Sequence, residues 1–468
     1  MAFEIPSDLM VSVSGVRGRV GAGLTPEVVA RFASAFGAYV RERSGRARPR
    51  VILARDSRTS GPMFVRIVAG ALQSVGCDVV EIGLAPTPTA LFNIRALDAD
   101  GGIVVTASHN PKEWNALKLA GPTGMFLDVD EAPLMRAFVN DRPIERAAWD
   151  AIGDVVADGD AVERHLQAVL RIPYLDLPLL RARRFKVVLE CINGAGSVLL
   201  PRLLEELGCV VVGLNLEPTG RFAREPEPTA DNLKDLERVV RESGADIGLA
   251  TDPDADRLSL VSDGGRAIGE DFTLALAAAQ VLRHNPGPVV TNLSTSRVLQ
   301  DVTDAAGVEL HRAPVGEINV ARRMEAVGAV IGGEGNGGVI LPDVQLTRDA
   351  AVAAALVLQL LAEEGRTLSA IVGSHVDYTI VKDKLPRDAG SLEEAYAVLE
   401  EQLGAPAADR QDGLRLDWPD ERRWLHLRAS GTEPILRIIA EAPDASAAKD
   451  LVEQARRALA GGSPAGLL

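Results

Sequence analysis

A short polar segment follows an apolar one in the first quarter of the chain and carries groups suited to chemistry. The apolar residues 103–105 lead into Thr-Ala-Ser-His-Asn, and Pro111 closes the segment. A turn alone needs only glycine, proline, asparagine or aspartate. Ser108 and His109 add a nucleophilic hydroxyl and an imidazole that a turn does not require. We therefore predict that this loop takes part in catalysis at the end of a strand.

Three aspartates alternate in Asp-Pro-Asp-Ala-Asp-Arg, just after an apolar segment that ends at Ala250. Alternate side chains of an extended loop share one side, so Asp252, Asp254 and Asp256 are expected to converge. Three adjacent anions are unfavourable without a cation, and hard oxygen ligands favour Mg²⁺ or Ca²⁺. Arg257 stands where a Ca²⁺ loop of the EF-hand type requires glycine. We predict a Mg²⁺ site here, with a solvated acidic loop as the alternative.

Two further loops are rich in glycine or hydroxyl groups. Residues 332–339 read Gly-Gly-Glu-Gly-Asn-Gly-Gly-Val, and the glycines let the backbone approach a ligand closely. Glu334 and Asn336 are suited to bind vicinal sugar hydroxyls. Residues 428–438 are typical of a phosphate cradle between two strands, although an ordinary hairpin turn has similar residues. The groups expected to contact phosphate there are Arg428, Ser430, Gly431 and Thr432.

Arginines near the start of the chain supply positive charge. Arg17 and Arg19 flank a glycine, and Arg17 is a candidate phosphate contact. Asp56 lies between Arg55 and Arg58 at the end of an apolar segment. Because it is flanked by two cations, we interpret Asp56 as part of a structural ion pair and not as a catalyst.

One pattern of elements occurs three times and must position these loops. Segments that begin at Arg50, Lys186 and Pro288 each read as strand, polar loop, amphipathic helix, glycine and second strand. Such alternation predicts βαβ units and mixed, mostly parallel sheets in three tandem related α/β domains. Close-set strands between two helices predict a C-terminal α+β domain. The expected domains are residues 1–152, 153–258, 259–373 and 374–468.

Composition limits the classes of partner. The chain has 468 residues and a formal net charge of −15. This charge disfavours nucleic acid or an anionic membrane as a partner, and a phosphorylated ligand would need a locally basic site. The longest apolar stretch begins at Ala351, is too short to span a bilayer and predicts a buried helix. Three separated cysteines and the lack of a signal-peptide pattern predict a cytoplasmic protein.

Taken together, the motifs resemble the α-D-phosphohexomutase family over essentially the whole chain. They occur in the family's order: Thr-Ala-Ser-His-Asn-Pro, Asp-x-Asp-x-Asp-Arg, Gly-Glu-x-x-Gly and Arg-x-Ser-Gly-Thr-Glu-Pro, one in each expected domain. The resemblance implies four domains around a central cleft. It also implies an isomerase that moves a phosphoryl group within a phosphosugar.

The resemblance implies a role for each motif. Ser108 would be a phosphoserine that donates and re-accepts phosphate, and with the three aspartates it would hold one Mg²⁺. Lys118 and Arg257 match positions that assist the transfer, and His109 would orient the serine loop. The residues implied to bind substrate are Arg17, Glu334, Asn336, Arg428, Ser430, Gly431 and Thr432.

The implied cycle has two halves. The phosphoserine gives its phosphate to a hexose monophosphate, the resulting 1,6-bisphosphate turns in the cleft, and the other phosphate returns to the serine. A hexose 1,6-bisphosphate is therefore the expected intermediate and activator, and closure of the fourth domain would exclude water. The protein is expected to be a monomer or a homodimer.

The loop at residues 332–339 departs from the pattern Gly-Glu-x-Ser-Gly-His of many family members. Asn336 replaces the serine and Gly338 replaces the histidine. This loop is similar to a branch that acts on glucosamine phosphate, so glucosamine 6-phosphate is the expected substrate, with mannose and glucose phosphates as alternatives. A Mg²⁺-dependent sugar phosphatase and a non-catalytic sugar-phosphate binding protein are the competing hypotheses.

Overall fold

The structure is a computed structural model that describes residues 4–13, 15–386, 391–430 and 435–461. Its strands form four sheets along the chain: a seven-stranded sheet, a four-stranded sheet and two five-stranded sheets. The first three are mixed and flanked by helices, and the last is antiparallel. The predicted class of three α/β domains followed by an α+β domain is confirmed.

The first domain carries its sheet between helices. The strands are β1 (Met10–Ser12), β2 (Gly15–Arg19), β3 (Arg50–Arg55), β4 (Asp78–Leu84), β5 (Gly101–Val105), β6 (Trp114–Ala120) and β7 (Val155–Ala157). The helices are α1 (Pro26–Ser44), α2 (Gly61–Gln73), α3 (Thr87–Ala96) and α4 (Glu131–Asn140). The sheet order is β1-β2-β6-β5-β3-β4-β7. Every residue of β5 is buried, so the serine-bearing segment leaves from the middle of the sheet.

The second domain is smaller. Its elements are α5 (Ala161–Leu170), α6 (Leu177–Arg183), β8 (Lys186–Glu190), α7 (Leu200–Glu206), β9 (Val210–Leu214), α8 (Lys234–Ser243), β10 (Ile247–Thr251) and β11 (Leu258–Ser262). The sheet order is β11-β10-β8-β9, and β10 is fully buried. The segment with three aspartates is thus the connection of the β10–β11 hairpin.

The third domain begins with a helix. Its elements are α9 (Asp271–His284), β12 (Val289–Asn292), α10 (Val298–Ala306), β13 (Leu310–Ala313), α11 (Glu317–Val327), β14 (Ile331–Glu334), β15 (Gly338–Leu341), β16 (Gln345–Arg348), α12 (Ala350–Glu364) and α13 (Leu368–Val372). The sheet order is β13-β12-β14-β15-β16. The stretch from Ala351 is the buried helix α12, as predicted.

The fourth domain packs two helices on one antiparallel sheet. Its elements are β17 (Thr379–Pro386), α14 (Leu392–Leu403), β18 (Ala407–Asp409), β19 (Leu414–Trp418), β20 (Arg423–Ala429), β21 (Ile435–Ala442) and α15 (Ala445–Gly461). The sheet order is β17-β21-β20-β19-β18. Within the described ranges of the whole chain, no helix is long and apolar enough to cross a bilayer.

The three repeated segments form the predicted parallel pairs β3–β4, β8–β9 and β12–β13. The glycines Gly76, Gly208 and Gly307 after the intervening helices have φ of 83°, 79° and 67°, which residues with a Cβ rarely adopt. Two predicted domain limits lie before the ends of their sheets. β7 lies beyond residue 152 but belongs to the first sheet, and β11 begins at residue 258 yet belongs to the second.

One hydrophobic cluster spans the second and third domains and joins Leu189 of β8, Ile331 of β14 and Leu356 of α12. A buried histidine adds a polar link across three domains: His165 contacts Thr89 Oγ1 at 2.9 Å and Asp349 Oδ2 at 2.7 Å. The loops that reach this junction are therefore held by a continuous core.

Candidate active site

Three loops meet where the first three domains adjoin. The serine loop (residues 106–113) follows β5, the aspartate loop (residues 252–257) joins β10 to β11, and the glycine loop (residues 335–337) joins β14 to β15. All three loops extend from the carboxyl ends of strands that pair in parallel with a neighbour, where α/β sheets commonly bind ligands. The geometry of the three loops therefore determines the chemistry available at this junction.

Ser108 points from the serine loop into the aspartate loop. Its Oγ donates to Asp252 Oδ2 at 2.8 Å, and its backbone N–H donates to Thr106 Oγ1 at 3.0 Å. His109 Nδ1 lies 3.4 Å from the same Oγ. Ser108 has φ of 46°, in the left-handed region that a residue with a Cβ occupies only when its surroundings hold it there.

A buried arginine provides that support. The Arg58 guanidinium donates to four backbone carbonyls of the serine loop and its edge, at 2.6–2.8 Å. Its Nε also donates to Asp56 Oδ2 at 3.0 Å, so the predicted Asp56 ion pair forms with Arg58. Sequence patterns did not indicate that this pair holds the loop. The accepting carbonyls belong to Ser108, Asn110, Pro111 and Trp114.

Replacing Arg58 with methionine is expected to destabilise the protein by about 3–5 kcal/mol, since it leaves Asp56 as an unpaired buried anion. Four carbonyls would also lose their donor. Chemical denaturation of the variant would measure the change in free energy of unfolding. Arg66→Met on the exposed face of α2 is the matched control and should change stability by less than about 0.5 kcal/mol. Equal stability of the two variants would contradict the supporting role.

The three aspartates converge in a fully buried cluster. One carboxylate oxygen of each lies within 4.8 Å of the others, and all three side chains are inaccessible to solvent. Lys118 Nζ at 2.7 Å and Thr87 Oγ1 at 2.6 Å contact Asp254 Oδ2. Among the described residues, Asp254 Oδ1 and Asp256 Oδ1 have no hydrogen-bond partner. Buried carboxylate oxygens without donors fit the ligand set of Mg²⁺.

Neighbouring charges separate the pKa values of the three carboxyls. Burial, together with the negative charges of Asp256 and Asp254, raises the pKa of Asp252 well above its usual range. Burial also acts against ionisation of Asp254 and Asp256, but Lys118 beside the former and Arg348 beside the latter outweigh it and lower their pKa values. The cluster therefore lacks enough positive charge to ionise all three groups without a cation.

Two arginines and a histidine line the space in front of Ser108. The backbone N–H of Arg257 is 3.3 Å from Asp252 Oδ1, and its guanidinium reaches Glu227 at 3.0 Å. Arg17 donates to Asn110 Oδ1 at 3.2 Å from the opposite side. The charge of Arg257, with burial, holds the pKa of His109 well below its usual range. The imidazole is therefore neutral near pH 7.

Two adjoining cavities form one cleft beside these groups. A cavity of about 410 Å³ contains Ser108, Lys118 and Arg17 in its wall, and a second of about 730 Å³ extends toward the fourth domain. Both cavities are lined by His109, Arg257, Glu334 and Asn336. The cleft therefore runs from the serine loop past the glycine loop to the C-terminal sheet.

The far wall of the cleft is basic. Arg428 at the end of β20 lies there with its Nη2 3.1 Å from Asp412, and Ser430 follows on the same segment. Gly431 and Thr432 lie outside the described residues. Lys382 and Lys384 project from alternate positions of β17 into the same space, with Arg437 of β21 beside them. Sequence analysis missed these three cations, although the alternation in β17 was a usable signal.

Both carboxylate oxygens of Glu334, the last residue before the glycine loop, accept hydrogen bonds from neighbouring groups. Oε1 accepts from Asn292 Nδ2 at 2.8 Å and from the backbone N–H of Gly316 at 3.0 Å. Oε2 accepts from Arg348 Nη1 at 2.8 Å and from Asn336 Nδ2 at 3.4 Å. The bond from Asn336 is the longest of the four, so a ligand hydroxyl would replace it with the least loss.

Comparison with known proteins agrees with this geometry over nearly the whole chain. The phosphoglucomutase/phosphomannomutase alpha/beta/alpha domains I, II and III match residues 9–142, 163–265 and 269–378, and the C-terminal domain of that family matches residues 380–458. A phosphoglucomutase/phosphomannomutase of Thermococcus kodakarensis is 39% identical over 94% of this chain and 96% of its own length. This chain belongs to the phosphoglucomutase/phosphomannomutase family.

Two other members of the phosphoglucomutase/phosphomannomutase family extend the comparison. A probable phosphoglucosamine mutase of Methanopyrus kandleri is 36% identical over 94% of this chain and 95% of its own length. The crystal structure of a family protein from Burkholderia thailandensis superposes with a TM-score of 0.85 at 28% identity, covering 98% of this chain and 99% of the other. The relatives are mutases, so the prediction of an isomerase of this family is confirmed.

A carboxyl in the wall of the cleft is expected to make the stability of the protein depend on pH. Asp271, at the start of α9, accepts from the backbone N–H of Ser296 at 2.8 Å, and burial raises its pKa to about 8. The folded protein therefore retains a proton that the unfolded chain loses above about pH 4, and the free energy of unfolding falls as pH rises through about 8. Asp271→Asn should remove this loss.

Asp271 lies in the wall of the cleft, where solvent weakens the effect of burial on its charge. Asp271→Asn is therefore expected to be about 1–2 kcal/mol more stable than the wild type at about pH 9 and equally stable at about pH 4. Denaturant titrations across that range would measure it. Asp304→Asn on the exposed side of α10 is the control and should follow the wild type at every pH. Parallel curves for Asp271→Asn and the wild type would contradict the raised pKa.

Proposed function

We propose that this chain is a phosphohexomutase that interconverts hexose 6-phosphate and hexose 1-phosphate through a phosphoserine at Ser108. The observation that carries the proposal is the 2.8 Å contact of the Ser108 hydroxyl with a buried cluster of three aspartates at the end of a basic cleft. Such a cluster can hold a cation that neutralises the charge of a transferred phosphoryl group beside the serine.

Mg²⁺ is the proposed cofactor, one per chain. Asp252, Asp254 and Asp256 would hold it with an oxygen of phosphorylated Ser108, since two of the carboxylate oxygens have no donor in the described residues. Bound there, the ion would withdraw negative charge from the phosphoryl group.

Cations of the chain stabilise the rest of the transferred charge. Although burial acts against it, Asp254 and Asp256 raise the pKa of Lys118, so this side chain acts as an ammonium donor and not as a base. Arg257 is held at the edge of the aspartate loop, where phosphate oxygens would compete with Glu227 for its guanidinium. His109 is neutral and contributes hydrogen bonding near the Ser108 oxygen.

The two ends of the substrate would bind at opposite ends of the cleft. The free hydroxyl would face Ser108 while the phosphate contacts Arg428, Ser430 and the following residues Gly431 and Thr432. Glu334 and Asn336, midway between them, would bind sugar hydroxyls in both orientations. A hexose 1,6-bisphosphate would therefore turn within the cleft and act as intermediate and activator, with Arg17 beside the phosphate at the serine end.

Glucosamine 6-phosphate is the proposed preferred substrate. The support is the loop Gly-Glu-Gly-Asn-Gly-Gly and the name of the Methanopyrus kandleri relative. The Thermococcus kodakarensis relative carries the other name, so mannose and glucose phosphates are the second candidates.

The test is turnover of three substrates in parallel. The protein, with Mg²⁺ and a trace of hexose 1,6-bisphosphate, would be offered glucosamine, mannose and glucose 6-phosphates, and the 1-phosphate product would be followed by NMR. Preferred turnover of glucosamine 6-phosphate supports the full proposal, and preference for another hexose corrects only the sugar. Release of inorganic phosphate without isomerisation would indicate a phosphatase, and binding without turnover a sugar-phosphate binding protein.

A further inference from the structure

A side chain at position 338 would overlap with the side chain of Arg348 on the neighbouring strand. A Cβ placed on Gly338 would lie 2.2 Å from Arg348 Cδ and 2.8 Å from its Cγ, closer than non-bonded carbons approach. The backbone of Gly338 is outside the left-handed region, so its conformation does not require glycine. Glycine is needed at this position because the stem of Arg348 fills the space of any side chain there.

The methylene groups of Arg348 place its buried guanidinium between the aspartate loop and Glu334. Arg348 Nη2 donates to Asp256 Oδ2 at 2.7 Å, and Nη1 donates to Glu334 Oε2 at 2.8 Å. Its Nε lies 3.3 Å from Glu317 at the start of α11. One planar cation therefore joins a carboxylate of the aspartate loop to the carboxylate that anchors the glycine loop. Arginine suits this place because its fork holds two carboxylates at once.

We propose that Arg348 is a positioning residue for phosphoryl transfer, and that it performs this role only with glycine at position 338. The inference rests on the proposed function. It accounts for the departure from the Gly-Glu-x-Ser-Gly-His pattern, because a histidine at 338 and Arg348 cannot occupy the same space. In this chain the positive group comes from β16 and not from the glycine loop.

The effect on chemistry follows from the partners of the guanidinium. Without Arg348, Asp256 Oδ2 keeps only the long 3.5 Å contact with Lys118, and Glu334 Oε2 keeps only the weak 3.4 Å contact with Asn336. Glu334 would still be held through Oε1, but no cation would join it to Asp256, so the two loops would lose their fixed separation. Misplacement of reacting groups by about 1 Å commonly lowers rates by about 100-fold.

A double-mutant cycle tests the pair. Gly338→Ala and Arg348→Ala are each expected to lower kcat/KM by about 30- to 100-fold, mainly through kcat. In the Arg348→Ala background, Gly338→Ala should have less than about a twofold further effect, because the overlap is gone. Gly159→Ala, whose Cβ would meet nothing within 4 Å, is the matched control and should leave kcat/KM unchanged. An equal loss of kcat/KM from Gly338→Ala in the wild-type and Arg348→Ala backgrounds would overturn the proposed dependence of Arg348 on Gly338.

Two further readouts separate positioning from folding. Added guanidinium should restore the kcat/KM of Arg348→Ala by at least about tenfold, while urea at the same concentration should not. Arg348→Ala within about twofold of the wild type, or no rescue, would overturn the positioning role. The cycle is repeated with melting temperature, so the overlap is tested without turnover. Absence of turnover in the wild type would instead overturn the proposed function.

Discussion

Ser108→Ala is expected to lower turnover by at least about 10⁴-fold, because the hydroxyl that would carry the phosphoryl group is the only one that contacts the aspartate cluster from the serine loop in the described residues. The binding of hexose phosphate should change little, since the basic far wall of the cleft is untouched. The measurement is kcat and KM for the preferred hexose 6-phosphate, with intact-protein mass to detect phosphorylation.

Glycine at the same position separates loss of the hydroxyl from loss of the loop. Ser108 has φ of 46°, which alanine tolerates no better than serine but glycine adopts freely. Ser108→Gly should therefore be equally inactive and at least as stable as the wild type. Ser74→Ala, remote from the cleft, should keep full activity. Residual activity of Ser108→Gly within about tenfold of the wild type would exclude the phosphoserine mechanism.

The sequence was informative where the chemistry is local. Asp252, Asp254 and Asp256 occupy consecutive alternate positions, so their convergence follows from the geometry of an extended loop. The three βαβ units were predictable because each is built from neighbouring segments, and their second strands pair in parallel as expected. Lys118, by contrast, was singled out only by family resemblance, since nothing in its own segment indicates a contact with Asp254.

Residues that act between loops could not be predicted. Arg348 lies 92 positions from Asp256, and Arg58 lies 50 positions from Ser108. A single arginine in a strand or loop has no periodicity, so only the fold reveals which carboxylate it meets. In the sequence, Gly338 is notable only because it stands where many family members have a histidine. The structure provides its physical reason, which is the Arg348 stem.

Both arginines illustrate one constraint on this cleft. Four buried carboxylates, those of Asp252, Asp254, Asp256 and Glu334, surround the reaction centre, and most of their charge is balanced by cations that come from other segments of the chain. Each such cation is tied to a fixed partner, so it orients a loop as well as neutralising it. The charge that remains uncompensated is at Asp252, which makes this residue the most sensitive test of a bound cation.

Asp252→Asn is expected to have opposite effects on stability with and without Mg²⁺. In EDTA the wild type must either keep a proton on Asp252 or bury a third charge, because burial and the other two aspartates raise the pKa of Asp252 well above its usual range. The free energy of unfolding of the wild type should therefore fall as pH rises toward that raised pKa, and the asparagine variant should become the more stable protein over the same rise in pH.

With saturating Mg²⁺ the order reverses, since the wild type gains stability by binding while the variant has lost one anionic ligand and about 10³-fold of turnover. Melting temperatures of both proteins in EDTA and in Mg²⁺ would measure this, with the exposed Asp235→Asn as a control that should follow the wild type. A variant that is less stable in EDTA would mean that Asp252 is stabilised by the fold alone. The excess of negative charge at the aspartate loop would then not explain the need for a metal.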